Sequence, residues 1–299
     1  MGHRLSYLEY VIRPEQAGLM VKAILRPLGL SRRLRRQLVG QGGILVNGRS
    51  AYLSSRVSVG DRVTIQEVRE DAPTVAAEDL PLRVVWEDAH ALVVDKPAGM
   101  LVHPTGRERT GTLLAAVHHH VGPNGHARPL HRLDRDTSGL VLFSRHKLAH
   151  DRLSQALLRR QIEREYWAFL AGAPAQARLD VTLPIAVEPG QRIRRMIDAE
   201  AGQSAVTHFL LLAVFPADGV SLVQVRLETG RTHQIRVHAA AIGHPVLGDA
   251  LYGEQHALVA RHALHARRLT FPHPLTGAPV AVRAGLPVDL ARLLAHLSM

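Results

Sequence analysis

Apolar positions along this chain change their period several times, and each change marks an element. Val223, Val225 and Leu227 alternate with Gln224 and Arg226, the period-two pattern of a half-buried strand. Leu153, Ala156 and Leu157 follow helical spacing instead, leaving Arg152, Arg159 and Arg160 for another face. Glu163-Arg164-Glu165-Tyr166-Trp167-Ala168-Phe169-Leu170 opens charged and becomes a strand candidate, and Val141-Leu142-Phe143 reads as another. Toward the start, Leu19, Val21, Ile24 and Leu25 predict a short helix ended near Pro27 and Gly29. Ser31 is suited to cap a second helix running to about Val39. Gly40, Gly42 and Gly43 break that helix, Ile44-Leu45-Val46 follows as a strand, and Asn47-Gly48 signals a hairpin. A last strand, Arg62–Gln66, follows the turn at Gly60-Asp61.

These patterns divide the chain. Residues 1–68 are expected to form a compact unit of two helices and a small sheet. Residues 69–83, with Glu70, Asp71, Pro73, Glu78, Asp79 and Pro81, read as a linker. Residues 84–299 mix strands with helices without regular alternation. The expected fold class is therefore α+β rather than doubly wound. It comprises a small basic helix-helix-sheet unit and a larger mixed, mainly antiparallel sheet flanked by helices.

Charge adds to this picture. Lys and Arg outnumber Asp and Glu by 37 to 26, a net charge of +11 over 299 residues. Residues 1–68 hold eleven Lys or Arg and four Asp or Glu, so 11 − 4 = +7 lies there. Arg32, Arg33, Arg35 and Arg36 crowd the second helix, and Arg49 follows the hairpin turn. Concentrated positive charge is the footprint of a polyanion-binding module. It favours nucleic acid over a merely solvated basic face, with acidic lipid a distant third. The absence of cysteine excludes disulfides and thiolate metal sites and fits a reducing cytoplasm. No apolar run approaches the roughly 18 residues that span a bilayer, and no signal-peptide core follows Met1-Gly2-His3-Arg4. A cytoplasmic protein with no membrane partner is expected.

Three clusters could carry chemistry. His131-Arg132-Leu133-Asp134-Arg135-Asp136-Thr137-Ser138-Gly139-Leu140 packs two carboxylates, two guanidiniums and a hydroxyl pair into a turn-like segment. An aspartate between arginines is held ionised and is suited to act as nucleophile or base. Taken alone, the segment reads first as a turn whose charges pair with each other, since structural ion-pair networks are common. In Gly230-Arg231-Thr232-His233-Gln234-Ile235-Arg236, Thr232 is expected to cap a helix carrying Ile235, His238, Ala239 and Ile242. Arg231 and Arg236 would then bind phosphate or pair with a catalytic carboxylate, or simply open a basic helix. Tyr166 could stack on a base or accept a proton, although such a tyrosine is more often core. His118-His119-His120 belong to a loop or helix end, and no metal site is assigned.

In combination these blocks resemble the RluA-type pseudouridine synthases over roughly residues 85–285. Asp95-Lys96-Pro97-Ala98-Gly99-Met100 runs into Val102-His103-Pro104, and His131 to Leu140 resembles the family's catalytic signature. Tyr166-Trp167-Ala168, Gly230 to His238, His244 to Asp249 and Leu264-His265-Ala266 follow in the family's order. The front end is similar to the RNA-binding domain named after ribosomal protein S four. That similarity rests on its arginine-rich helix, Ile44-Leu45-Val46-Asn47-Gly48-Arg49 and Val59-Gly60-Asp61-Arg62-Val63.

The resemblance implies isomerisation of uridine to pseudouridine in RNA, without a cofactor. It implies Asp134 as the catalytic carboxylate, Arg236 as its ion-pair partner and Tyr166 as the tyrosine stacked on the uracil. Arg132 is implied to hold the flipped nucleotide and Leu264 to floor the site, with Arg231 also on the substrate side. Ribosomal RNA of the large subunit is the favoured substrate, transfer RNA the second. DNA is not expected, and a monomer is. A non-catalytic RNA-binding protein would leave Asp134, Tyr166 and Arg236 without a purpose. A nucleosidase would release free uracil.

Overall fold

The computed structural model describes residues 6–66, 75–106, 108–123 and 125–299. The expected linker's Glu70, Asp71 and Pro73, and residues 1–5, lie outside that description. The front of the chain runs β1 (Ser6–Val11), α1 (Val21–Ile24), α2 (Arg32–Gly40), β2 (Ile44–Val46), β3 (Arg49–Ser50) and β4 (Arg62–Gln66). These strands form one antiparallel sheet in the order β1-β4-β2-β3. Ser31 caps α2 as expected, its hydroxyl accepting from the Leu34 amide at 3.1 Å. Asn47 and Gly48 both take positive φ, the hairpin geometry their pair favours. Strand β1 was not anticipated; it pairs with β4 and completes the sheet.

The larger part opens with β5 (Val84–Glu87), β6 (Ala91–Lys96), α3 (Leu113–Val121), β7 (Arg128–Pro129) and β8 (Ser138–Ser144). It continues through α4 (Lys147–Leu158), β9 (Glu163–Ala171), β10 (Arg178–Val181), β11 (Ile185–Val187) and β12 (Arg195–Ile197). It closes with β13 (Thr207–Phe215), β14 (Val220–Leu227), α5 (Gln234–Ala241), β15 (Leu264–Pro272), β16 (Pro279–Arg283) and α6 (Val288–Leu297). Ten strands make one sheet, ordered β10-β13-β14-β9-β15-β8-β6-β5, with β16 beside β15 and β7 beside β8. Every pairing is antiparallel except β15 with β8. Among the described residues no helix is long and apolar enough to cross a membrane.

The parallel pair matters for the site. Gly139 sits at φ +114 opposite Ala266, and a Cβ there would lie 2.3 Å from the Ala266 carbonyl oxygen. Only glycine lets β8 approach β15 this closely, and the segment His131–Thr137 leads directly into that contact.

The front sheet is not isolated from the rest. Leu148 of α4 is buried within the same apolar cluster as Val21, Leu34, Leu38 and Ile65. The Asp151 carboxylate accepts from the Ser31 amide at 2.9 Å, and Tyr7 stacks on His146 at 4.1 Å. The described part of the expected linker is held as well. The Glu78 amide donates to the Ala115 carbonyl at 3.1 Å, and its side chain accepts from the Gly111 amide at 2.9 Å.

Candidate active site

The loop 131–137 is held from below by a buried cation. Lys96 closes β6 with no exposed surface, and its Nζ donates to the carbonyls of Pro97 (2.9 Å), Met100 (2.7 Å) and Arg135 (2.8 Å). Burial lowers its pKa to about 7, against the pull of Asp136 and Asp134. Further along the loop, Thr137 Oγ1 lies 2.7 Å from His262 Nε2, and Arg261 donates to the Asp136 carbonyl at 2.8 Å. Arg135 pairs with Glu108 on the outer side. Asp134 is thereby carried on a braced backbone, its side chain 21% exposed.

Arg236 meets it from the first turn of α5. Its Nη1 donates to Asp134 Oδ2 at 3.2 Å. The same guanidinium grips Asp249 in a fork, Nε to Oδ2 at 2.6 Å and Nη2 to Oδ1 at 2.7 Å. Asp249 has no exposed side-chain surface and also accepts from the Leu251 amide at 3.0 Å. Burial opposes charge on both groups, yet their pairing holds Asp249 below and Arg236 above its ordinary pKa. The Tyr252 ring lies under the guanidinium at 5.1 Å, and its hydroxyl is 2.9 Å from His233 Nδ1.

The cap of α5 differs from expectation. His233, at φ +58, is the N-cap, and Thr232 is not. Thr232 Oγ1 instead accepts from Arg132 Nη2 at 2.6 Å. Gln234 Oε1 accepts from the Arg231 amide at 3.0 Å, so a glutamine holds the turn before the helix.

A cleft of about 410 Å³ opens over these groups, within the size range of small-ligand sites. Asp134, Tyr166, Arg236, Arg132, Arg231 and Leu264 all line it. Tyr166 points there from β9, and burial pushes its phenol up in pKa against the pull of the Arg164 charge, with the Asp134 charge adding to the rise. The arginines of the front unit are not part of the cleft. Arg32, Arg33, Arg36 and Arg49 are exposed on α2 and β3, and Arg35 is half-buried. Among the described residues no group of three or more histidines and carboxylates is placed to hold a metal ion.

Sequence reasoning passed over Lys96, Asp249 and Arg164. The first two stand inside recognisable blocks, but nothing local shows whom they bond. Arg164 had a usable signal, since it lies two residues before Tyr166 and so on the same face of β9.

A mixed, mostly antiparallel sheet with a braced carboxylate at a cleft defines an α+β enzyme scaffold. Residues 90–241 match the RNA pseudouridylate synthase family. The chain is 38% identical to an uncharacterized RNA pseudouridine synthase, YhcT, of Bacillus subtilis, over 98% of each chain. It is 37% identical to the ribosomal large subunit pseudouridine synthase D of Xanthomonas campestris, over 98% of this chain and 93% of that one. Among solved structures, human RNA pseudouridylate synthase domain containing 1 superposes with a TM-score of 0.57 at 26% identity. It covers 74% of this chain and 96% of its own. The chain belongs to the RNA pseudouridylate synthase family. Its enzyme class is isomerase.

Proposed function

We propose that this chain isomerises specific uridines of large-subunit ribosomal RNA, with Asp134 as the catalytic carboxylate. The observation that carries this reading is the approach of Arg236 Nη1 to Asp134 Oδ2, 3.2 Å, in a cleft shared with Tyr166. Relatives named for the ribosomal large subunit in Xanthomonas, Xylella and Pseudomonas favour that RNA over transfer RNA.

The bond from ribose C1′ to uracil N1 breaks, the uracil turns, C1′ joins C5, C5 gives up its proton and N1 takes one up. Atoms and electrons balance without an external reagent, so no cofactor is required. Asp134 acts at the sugar, by attack or by taking a proton, and Arg236 keeps it ionised and aimed. Tyr166 stacks on the uracil; its raised pKa keeps the phenol neutral, which suits a stacking platform. Arg132 stands at the exposed rim, where a guanidinium can hold the nucleotide outside its helix. Flipping costs a few kcal/mol, which phosphate contacts from the basic surface offset.

In this reading residues 1–68 are an RNA-binding domain like that of ribosomal protein S four. Exposed Arg32, Arg33, Arg36 and Arg49, with Arg35 beside them, meet phosphate and raise the local RNA concentration. In the same reading the protein acts in the cytoplasm as a monomer. The test incubates wild type and Asp134→Asn with total RNA from a strain lacking the protein, then maps pseudouridines at single-nucleotide resolution. New sites in large-subunit RNA with wild type alone are expected. Sites in transfer RNA would move the substrate; an active Asp134→Asn would remove Asp134 from the chemistry.

A further inference from the structure

Arg164 is a cation in an unusual position. It is 9% exposed, lies on β9 two residues before Tyr166, and lines the same cleft as Asp134 and Arg236. Its Nη2 donates weakly to the Thr229 carbonyl at 3.3 Å, and its Nε is buried without any partner. Among the described residues no carboxylate lies within ion-pair distance of it. Its neighbours differ in this respect: Arg160 pairs with Glu228, and Arg226 and Arg268 both face Glu165, at 3.7 and 4.0 Å.

Gly230 fits the same picture. A Cβ at that position would come within 3.0 Å of Arg164 Nη1, so the glycine leaves room for the guanidinium at the cleft wall. Beyond it a smaller hollow of about 160 Å³ continues past Arg160, Arg226 and Arg268. Glu165 and Glu228 face those three arginines there, so Arg164 is the cation of this wall that lacks a facing carboxylate among the described residues.

A buried guanidinium without a counter-charge is costly unless a ligand completes it. A guanidinium whose Nη1 lies at the cleft wall can donate to a phosphate oxygen, and phosphate is the anion that an RNA strand brings. We propose that Arg164 binds a phosphate oxygen of the RNA strand beside the target uridine. The proposal rests on the RNA-modifying reading of the cleft and adds a substrate contact to it. It places one anchor next to the Tyr166 stacking face, so the flipped nucleotide is fixed at base and backbone together.

The experiment measures binding of a hairpin RNA with an all-uridine loop to the full chain across a salt series, without turnover. Each neutralised phosphate of single-stranded RNA contributes about 0.7 to the slope of log affinity against log salt. Arg164→Gln and Arg164→Met should each flatten the slope by about that amount. Arg164→Lys, which keeps the charge and loses the fork, should keep the slope while binding more weakly. An unchanged slope in Arg164→Gln, whatever its affinity, overturns the proposal in favour of a base contact or a structural role. So does salt-insensitive binding by the wild type. Failure of both Arg164→Gln and Arg164→Met to fold would assign Arg164 to stability and likewise reject it. Because no turnover is read, this result stands apart from pseudouridine mapping: either reading can fail while the other holds.

Discussion

Lys96 Nζ donates to the carbonyl of Arg135 at 2.8 Å, so a fully buried ammonium grips the backbone one residue from Asp134. The other two Lys96 bonds, to Pro97 and Met100, tie the preceding loop to the same point. The Asp134 carboxylate therefore rides on a backbone braced by a residue that never reaches the cleft surface.

Replacing Lys96 by methionine keeps the volume and leaves three carbonyls short of a donor. A loss of roughly 2–4 kcal/mol is expected, at about 1–3 kcal/mol per unsatisfied buried group with partial relaxation. The check is chemical denaturation of both proteins. Turnover by the folded fraction should also fall, because a displacement of 1 Å at a reacting group costs on the order of 10²-fold.

Asp249→Asn removes the charged half of the fork that orients Arg236. Breaking one side of a buried ion pair costs about 3–5 kcal/mol. The surviving fold should show a reduced kcat with little change in KM, since Arg236 is then free to leave Asp134. Single-turnover kinetics at saturating RNA separates the two effects.

Gly139→Ala places a methyl 2.3 Å from the Ala266 carbonyl, at a φ of +114 that side chains rarely adopt. Strain of this kind costs about 1–3 kcal/mol before the clash is added. Gly277→Ala, at φ +74 with nothing within 4 Å of the added carbon, is the matched control. It should show the left-handed backbone cost alone, about 1–2 kcal/mol, without the clash. Melting temperatures of the two variants would be compared directly.

Acid should destabilise the protein steeply. Burial lowers the pKa of His131 and His146 to about 3 and of His262 and His265 to about 4, from an ordinary 6.5. The folded chain keeps these rings neutral while the unfolded chain protonates them. Their stability contribution is therefore complete above pH 6.5 and is lost as pH falls toward 4 and then 3. Each ring contributes up to about 1.4 kcal/mol per pH unit. Melting curves between neutral pH and pH 4 should show the decline. A flat profile would mean that the rings are charged in the folded state. His146 stacks on Tyr7, so the contact between the front sheet and α4 should weaken in the same range.

Much of the molecule was legible along the chain because its signals are local. Ser31 caps α2 through an amide three residues on, Asn47-Gly48 makes its own turn, and alternation marks β14. The cleft residues were legible for a related reason: each stands in a short block whose residue types occur together. Strand β1 escaped notice because its partner, β4, lies some fifty residues away. Thr232 was read as a cap because it precedes the helical pattern, yet Arg132, a hundred residues earlier, claims its hydroxyl.

The sequence by itself determined many of the elements, the α+β class, the basic front end and most of the residue types that line the cleft. Periodicity, capping and turn chemistry act over a few residues and need no partner. Only the tertiary structure decided the pairings: Arg236 with both Asp134 and Asp249, Lys96 with Arg135, and Arg164 with no carboxylate among the described residues. A guanidinium or ammonium bonds whichever acceptor the folded sheet brings within about 3 Å. That choice depends on strands and helices far apart in the chain, and no local pattern contains it.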